Sequence, residues 1–288
     1  MQTATQARPF VKWVGGKTQL LPELARRLPE EFDVYHEPFL GGGALFFALR
    51  PKVAILSDLN AELINLYQVV AKDVEALIRA LKLHRYEEAY YYGVRAQDRE
   101  ETFHLMGPVA RAARFLFINK TGYNGLWRVN SKGQCNVPFG DYTNPVICDE
   151  SNLRACAEVL ATQPLRAQSY TATTPGKGDF VYFDPPYEPL TTTANFTGYA
   201  AGGFTSENQR TLCSYLKSLD QHGVKWMLSN SSAPLILDLY KDFNLELVDA
   251  KRAVNSDPAK RGPVKEVIVR NYGGDCSWCQ RPDCQDKI

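Results

Sequence analysis

The chain has 288 residues and a formal net charge of +1, which excludes a protein that is strongly cationic overall. Binding to an anionic polymer would therefore depend on a local patch. The length allows one large domain or two smaller ones. No apolar run approaches the roughly 20 residues that cross a bilayer, and Met1 to Arg8 lacks an apolar signal core. We predict a cytoplasmic protein without membrane segments, whose seven cysteines are reduced thiols.

The first motif is Pro9 to Thr18, which ends in Gly-Gly-Lys-Thr. A phosphate-binding loop needs a glycine where this chain has Val11, so a nucleotide triphosphatase is rejected. The two glycines allow a ligand to approach the backbone, Lys17 can meet a carboxylate, and Trp13 offers a flat apolar face. Taken alone, however, the motif favours the capped start of a helix from Leu20 to Leu28.

A strand, a glycine turn and a helix follow, from Val34 to Leu49, as in the first crossover of a nucleotide-binding sheet. A dinucleotide fingerprint would need glycine or alanine where this chain has Phe46, so the turn suits an adenosine-like cofactor without phosphates. The second predicted strand, Val53 to Leu56, leads to Asp58, which can accept hydrogen bonds from both ribose hydroxyls. The alternative is an ordinary βαβ connection with no ligand.

Two helices are predicted next, from Asn60 to about His84 and from Pro108 to Ile118, with apolar residues on their core faces. The run Asn119 to Gly133 has neither a helical nor a strand period, and it mixes cations, aromatics, asparagines and glycines. Such a loop can lie on nucleic acid, because Arg reads guanine edges, Asn reads adenine edges, and Tyr or Leu can wedge between bases. The alternative is a hairpin with a solvated charged edge.

The central motif is Phe180 to Tyr187, in which four apolar, β-prone residues precede Asp-Pro-Pro-Tyr. Open α/β sheets bind ligands at the tips of such buried strands. Proline lacks an N–H and fixes φ, so we expect the carbonyls after Asp184 to remain available as acceptors. Asp184 and the Pro185 carbonyl can take both protons of an exocyclic amine while Tyr187 stacks on the ring, which suits a flipped-out nucleobase. The alternative is a strand followed by a proline turn.

The rest of the chain predicts further elements of an α/β sheet. A capping box of Ser206 and Gln209 should open a helix that runs to Leu219. The other predicted elements are a helix from Glu150 to Leu160, a strand from Lys225 to Leu228, a helix from Leu235 to Tyr240, and strands from Phe243 to Ala250 and from Val264 to Tyr272. The cationic loop between the last two strands can clamp phosphates.

Three cysteines, Cys276, Cys279 and Cys284, lie in the tail. Their spacing fits half of a zinc site, but a fourth ligand is missing from the neighbourhood. We predict no bound metal.

In this order, the motifs resemble the Dam family of DNA adenine-N6 methyltransferases, over nearly all of the chain from Arg8 to Tyr272. The resemblance implies an α/β, Rossmann-like methyltransferase fold. It has a mixed, mostly parallel sheet with helices on both faces and an inserted, mainly helical target-recognition domain with a hairpin loop. The implied boundaries are 1–60 and 149–273 for the catalytic domain, 61–148 for the recognition domain, and 274–288 for the Cys-containing tail.

The resemblance also implies roles for individual residues. S-adenosylmethionine would contact Trp13, Lys17, Glu37, Phe39, Gly41, Gly43, Asp58 and Asp184, with Asp58 on the ribose and Lys17 near the methionine carboxylate. The catalytic residues would be Asp184, Pro185 and Tyr187. Contacts to double-stranded DNA would come from Lys12 and Arg128 at guanines, Tyr123 and Leu126 inserted into the duplex, Asn124 and Pro138 against bases, and Arg252, Asn255 and Arg261 in the cationic loop.

These matches point to a monomeric, nucleoid-associated enzyme that methylates adenine in GATC by base flipping, alone or beside a restriction nuclease. Three alternatives remain open from the sequence. An amino-methyltransferase for cytosine N4 or for RNA could use a similar acceptor pocket. A DNA-binding regulator could keep the fold without catalysis. A nicotinamide-dependent oxidoreductase is opposed by Phe46 in the glycine motif.

Overall fold

The structure is a computed structural model and describes residues 5–190, 203–251 and 263–273. The strands of these residues are β1 (Tyr35–Glu37), β2 (Ala54–Asp58), β3 (Leu165–Ala167), β4 (Phe180–Phe183), β5 (Lys225–Ser231), β6 (Asn244–Lys251) and β7 (Pro263–Arg270). The helices are α1 (Leu21–Arg26), α2 (Ala44–Leu49), α3 (Ala61–Leu81), α4 (Glu88–Ala96), α5 (Pro108–Thr121), α6 (Glu150–Leu160), α7 (Ser206–Gln221) and α8 (Pro234–Leu239).

All seven strands form one sheet in the order β3-β2-β1-β4-β5-β7-β6. The first five are parallel to their neighbours, and β7 runs antiparallel between β5 and β6. Every residue of β1 and β4 is buried, as expected for parallel strands covered on both faces. The predicted α/β fold with a mixed, mostly parallel sheet is therefore confirmed.

The strand order reverses between β1 and β4. From β1 the chain continues outward to β2 and β3 on one side, whereas β4 is followed by β5 on the other. The loops after β1 and β4 therefore diverge and leave a crevice at the carboxyl ends of the two strands, which is where open α/β sheets bind ligands. Glu37 ends β1, and Asp184 directly follows β4.

The segment between β2 and β3 is mainly helical. Helix α3 packs against α5 and α6, and α4 packs against α5. After α5, antiparallel bridges join Gly122 to Phe139 and Val129 to Cys135, so the chain forms a hairpin that we call the recognition hairpin, residues 122–140. Its buried residues Trp127, Cys135 and Val137 belong to the same hydrophobic cluster as Tyr35 of β1 and Phe180 and Tyr182 of β4. The hairpin stacks on helix α5 through Trp127, whose ring lies 3.8 Å from that of Phe115, measured between centroids.

Two local predictions were wrong. Helix α1 begins at Leu21 and ends at Arg26, so it is shorter than predicted. The capping box of α7 is made by Thr205 and Asn208, each of whose side chains accepts a hydrogen bond from the other's backbone N–H. The predicted box of Ser206 and Gln209 is out of register by one residue, and the structure buries Gln209 fully. Among the described helices, none has the length and apolar composition of a membrane span.

Candidate active site

Glu37 lies at the tip of β1, in the crevice, and only 2% of its surface is exposed. The hydroxyl of Tyr35 donates a hydrogen bond of 2.8 Å to Glu37 Oε2. The pKa of Glu37 is raised to about 8, mainly by burial and also by the nearby carboxylates of Asp184 and Asp58, against the opposing effect of the Tyr35 hydrogen bond. At neutral pH the carboxyl group of Glu37 is therefore mostly protonated.

Asp184 lies across the crevice from Glu37. Its Oδ1 is 2.7 Å from the ammonium of Lys17 and accepts a hydrogen bond of 3.0 Å from Ser229 Oγ. Burial raises the pKa of Asp184, whereas the Lys17 charge and these hydrogen bonds act in the opposite direction. The side chain of Asp184 is 19% exposed and that of Lys17 is 7% exposed, so the carboxylate faces a cation at the edge of solvent rather than packed hydrocarbon.

Lys17, which the resemblance places near the methionine carboxylate of the cofactor, lies beside Asp184 in the structure. Its ammonium contacts Asp184, donates to the Gly15 carbonyl, and lies 4.6 Å from the ring centroid of Tyr187. The lysine thus occupies the space between the carboxylate and the ring that are expected to hold adenine. A bound methionine carboxylate would compete with Asp184 for this ammonium.

The Asp-Pro-Pro-Tyr segment forms a fixed corner. The Tyr187 hydroxyl donates a hydrogen bond of 2.8 Å to Glu266 Oε2. The Pro186 carbonyl accepts a hydrogen bond of 2.9 Å from Gln209 Nε2. The expectation that the carbonyls after Asp184 stay available is therefore wrong for Pro186, because a buried amide of helix α7 reaches it.

The glycine turn after β1 is tied to the tip of β2. The N–H of Gly41 donates to Asp58 Oδ2 at 3.0 Å, and the hydroxyl of Tyr67 donates to the Gly41 carbonyl at 3.1 Å. Gly41 has φ +48° and Gly43 has φ +65°, and a Cβ on Gly41 would lie 2.6 Å from the Trp13 ring. Both positions require glycine, and the indole of Trp13 rests directly on the turn.

Asp58 is held by the backbone around it. Burial raises the pKa of Asp58, and hydrogen bonds from the N–H groups of Asn60, Gly41 and Leu59 oppose that shift. Both carboxylate oxygens of Asp58 thus accept backbone N–H groups at the tip of β2. This placement agrees with the role expected for Asp58 at a ribose.

Phe39 and Gln168 extend the same edge. The Phe39 ring stacks on that of Tyr170, with centroids 5.4 Å apart. The backbone N–H of Gln168 donates to the Asp58 carbonyl at 3.1 Å, and its buried Nε2 has no hydrogen-bond partner among the described residues. Gln168 was missed by the sequence analysis, which predicted no strand at β3 and so could not place this residue beside the tip of β2.

Lys12 connects this site to the recognition hairpin. Its backbone exchanges hydrogen bonds of 2.9 and 2.8 Å with the side-chain amide of Asn119 on α5. Its ammonium lies 4.4 Å from the ring centroid of Tyr142. Its aliphatic chain covers Gly125, which has φ +63° and no room for a Cβ. Lys12 thus lies between the hairpin and Tyr142.

The other residues expected at DNA lie on or beside the recognition hairpin. The structure exposes Tyr123, Asn124, Arg128 and Pro138 and half-buries Leu126. Arg128 is folded back, with Nε donating to Asn136 Oδ1 at 2.7 Å. Four of these five side chains are therefore exposed on the hairpin. Arg252, Asn255 and Arg261, and the tail cysteines Cys276, Cys279 and Cys284, lie outside the described residues.

A buried ion pair holds the recognition hairpin to the helices beneath it. Asp98 Oδ2 lies 2.8 Å from the Arg114 guanidinium and accepts a hydrogen bond of 2.7 Å from the Cys135 N–H. Arg99 donates to the Cys135 carbonyl at 2.7 Å. Both the N–H and the C=O of Cys135 are thereby bound. The sequence analysis did not single out these residues, because acids and arginines at such separations have no recognisable spacing.

A cavity of 390 Å³ lies on the recognition side of the molecule rather than in the β1/β4 crevice. It is lined by Arg8, Pro9, Phe10, Lys12, Leu116, Lys120, Tyr142, Thr143, Pro145, Val146, Ile147, Asp149, Asn152 and Leu153. Burial lowers the pKa of Lys120, and the neighbouring Lys12 charge lowers it further. The two ammonium groups make this cavity attractive to an anion such as a phosphate.

Fold and site together define a Rossmann-like α/β protein, in which a carboxylate and an aromatic ring follow β4 and a glycine turn follows the neighbouring β1. Comparison with known families identifies it further. Residues 13–254 match the family of D12 class N6 adenine-specific DNA methyltransferases, and the chain belongs to that family. The protein is therefore an enzyme that methylates N6 of adenine in DNA.

Three relatives illustrate the similarity. The chain is 45% identical to the Type II methyltransferase M1.LlaDCHI of Lactococcus lactis subsp. cremoris, over 92% of this chain and 96% of the relative. It is 39% identical to the Type II methyltransferase M.MjaIII of Methanocaldococcus jannaschii, over 93% and 100%. It is 35% identical to the DNA adenine methylase of Escherichia coli K12, over 91% and 94%.

Proposed function

We propose that the enzyme transfers a methyl group from S-adenosylmethionine to adenine N6 in double-stranded DNA, within GATC, after the adenine has flipped out of the duplex. The observation that carries the proposal is that Asp184 and Tyr187 follow β4 and the Gly41–Asp58 turn follows β1, the two neighbouring strands between which the strand order reverses. One crevice thus combines an acceptor, an aromatic face and an adenosine-type turn. The similarity to DNA adenine methylases supports this assignment.

The residues at the tips of β1 to β3 suit S-adenosylmethionine. Asp58 would accept hydrogen bonds from the ribose hydroxyls, and the close contact of Trp13 with Gly41 provides an apolar wall. The buried Nε2 of Gln168 has no hydrogen-bond partner among the described residues, and a ligand at this edge would satisfy it, because a buried donor without a partner is costly. Glu37, protonated at neutral pH, can donate as well as accept there.

The chemistry assigned to this chain is mainly one of positioning. When bound, S-adenosylmethionine supplies an electrophilic methyl group. Both described contacts of Asp184 are made by Oδ1, which leaves Oδ2 for one amino proton of adenine, and the Pro185 carbonyl takes the other. These two acceptors stabilise the positive charge that develops on N6, while the Tyr187 ring fixes the plane of the base.

The DNA contacts follow from the exposed face of the recognition hairpin. Lys12 and Arg128 would read guanines, and Tyr123 and Leu126 would enter the duplex. We infer that residues 61–148 act as the recognition domain and that the enzyme works as a DNA-bound monomer. Two relatives carry the name Type II methyltransferase, which supports a restriction–modification setting as an alternative to an enzyme that acts alone.

The test is to map modified positions after incubating unmethylated DNA with enzyme and S-adenosylmethionine. We expect N6-methyladenine in GATC, identified after digestion to nucleosides. N4-methylcytosine in the digest would refute the adenine assignment, and N6-methyladenine in a different sequence would refute GATC. A parallel reaction with 2-aminopurine at the target position should show a fluorescence change when the base leaves the stack.

A further inference from the structure

We propose that Gln209 and Asn230 are positioning residues, which hold the backbone on both sides of Tyr187 and so set the plane in which the target adenine stacks. The inference rests on the proposed role of Asp184 and Tyr187 at the base. Neither amide was assigned any part in the reaction by the sequence analysis, which placed Gln209 in a helix cap.

Gln209 joins helix α7 to the corner and to β5. It is fully buried. Its Nε2 donates to the Pro186 carbonyl at 2.9 Å, and its Oε1 accepts from Asn230 Nδ2 at 3.1 Å. The side-chain amide therefore donates to the corner through its NH2 group and accepts from β5 through its oxygen.

Asn230 continues the chain of hydrogen bonds to the other side of Tyr187. It is also fully buried, and its Oδ1 accepts from the Glu188 N–H at 3.1 Å. The hydroxyl of the next residue, Ser231, donates to the Glu188 carbonyl at 2.6 Å. Hydrogen bonds thus fix the backbone at the Pro186 carbonyl, before Tyr187, and at both the N–H and the C=O of Glu188, after it.

These hydrogen bonds fix the direction of the backbone at the corner, which apolar packing at the same positions would not do. A buried amide is tolerated only when its partners are in place, since each unpaired donor or acceptor is costly. The corner cannot rotate without breaking several of these bonds at once. At its hydroxyl, Tyr187 bonds to Glu266 at 2.8 Å, so the ring is held at its far end and, through the backbone, at its near end.

The key variant is Gln209→Met, which keeps the volume and removes both hydrogen bonds. Thr205→Ala is the matched control, because it removes the cap of the same helix without touching the corner. Each is measured for thermal stability, for kcat, for KM toward S-adenosylmethionine and DNA, and for fluorescence of 2-aminopurine at the target position. If Gln209→Met does not fold, the same measurements are made on Ser231→Ala, which is a smaller change in the same hydrogen-bond network.

Gln209→Met should lower kcat about 10- to 100-fold, as expected for a misplaced reacting group, with both KM values changed by less than about threefold. The 2-aminopurine signal should move toward that of an unstacked base. Thr205→Ala should lose comparable thermal stability and keep kcat. Ser231→Ala should lower kcat by a smaller factor with the same unchanged KM values.

Equal kcat values for Gln209→Met and Thr205→Ala would overturn the inference. If Gln209→Met is unfolded, an unchanged kcat for Ser231→Ala would overturn it instead. The variant Tyr187→Ala distinguishes a failure of the positioning inference from a failure of the proposed function. If Tyr187→Ala loses turnover while Gln209→Met retains it, the corner keeps its role and the positioning inference falls. If Tyr187→Ala retains turnover, both fall.

Discussion

The ammonium of Lys17 lies 2.7 Å from a carboxylate oxygen of Asp184 and 4.6 Å from the ring centroid of Tyr187. In this arrangement the lysine neutralises the acid and covers the ring that we assign to the adenine. Under the proposed function, the adenine would displace the ammonium from the ring, and the negative charge of the cofactor's methionine group would be its new partner. The pocket for the base is thereby linked to the pocket for the cofactor.

Replacing the acid tests the acceptor role. Asp184→Ala should abolish methyl incorporation, because one of the two acceptors at N6 is lost, while measurable DNA binding remains, because the recognition hairpin is untouched. Incorporation of labelled methyl groups and fluorescence anisotropy of labelled DNA measure the two properties. Circular dichroism checks the fold, since the variant leaves the buried ammonium of Lys17 without its carboxylate. Near-normal turnover would refute the assignment.

The buried acid at the tip of β1 predicts a pH dependence of stability. The ordinary pKa of Glu37, 4.5, rises to about 8 in the folded protein. Between these values the folded chain keeps a proton that the unfolded chain has lost, so this contribution to stability is complete below pH 4.5 and is lost as pH rises through 8. Glu37→Gln, which mimics the protonated acid, should remove up to about 1.4 kcal/mol per pH unit of this slope.

Urea unfolding of the parent and of Glu37→Gln, at intervals from pH 5 to pH 9, measures the difference. The other raised carboxyl groups, Asp58 and Asp184, are present in both proteins and contribute to both slopes. Parallel curves for the two proteins would show that Glu37 is ionised in the fold.

The glycine turn predicts a selective loss of cofactor binding. Gly41→Ala should weaken S-adenosylmethionine binding strongly, because the new Cβ would lie 2.6 Å from the Trp13 ring on a residue with φ +48°. The left-handed conformation alone costs about 1–2 kcal/mol for a residue with a Cβ. Gly93→Ala is the control, since a Cβ there meets nothing within 4 Å. Calorimetry should find normal cofactor affinity for Gly93→Ala, and equal affinity for both variants would contradict the assigned turn.

The exposed arginine of the recognition hairpin predicts a change in sequence preference. Arg128→Ala should reduce discrimination at one base pair by about 1–3 kcal/mol, the usual value of a bidentate guanine contact. Turnover is compared on GATC and on substrates with one base pair changed. Arg154→Ala removes the same charge from the surface of α6, where Arg154 pairs with Glu75, and should leave discrimination intact. Unchanged preference in Arg128→Ala would exclude Arg128 as a reader.

The buried acid beneath the recognition hairpin predicts a loss of stability. Asp98→Ala leaves Arg114, whose side chain is 3% exposed, without its carboxylate and should cost about 3–5 kcal/mol. Breaking the exposed pair by Arg154→Ala should cost much less, because solvent screens a surface ion pair. The free energy of unfolding in urea distinguishes them. Similar values for both variants would mean that the ion pair at Asp98 does not hold the hairpin.

Much of this architecture was predictable because local patterns decide it. The apolar run before Asp184 could only be a buried strand, and the glycines after β1 matched backbone angles that other residues avoid. The cap of α7 was placed one residue late because Ser206 and Gln209 satisfy the same spacing rule as Thr205 and Asn208. Only tertiary contacts reveal that Gln209 is buried.

Other features of the site have no local signal. Asp98 and Cys135 are 37 residues apart in the chain, and Gln168 gains its meaning only when β3 lies beside β2. The contact of Lys17 with Asp184 likewise requires the N-terminal segment to cross the carboxyl ends of the strands. Such contacts depend on the order of the strands in the sheet, which no spacing of residues along the chain encodes.

The short segment from Lys12 to Lys17 has a mechanical consequence. The backbone at Lys12 is hydrogen-bonded to Asn119 of helix α5, and the ammonium of Lys17 contacts Asp184. Five peptide bonds therefore separate the residue beside the recognition hairpin from the cation beside the acid. Under the proposed function, a wrong base pair that displaced Lys12 would also shift this cation, and the error would be expressed as slower chemistry on a bound duplex.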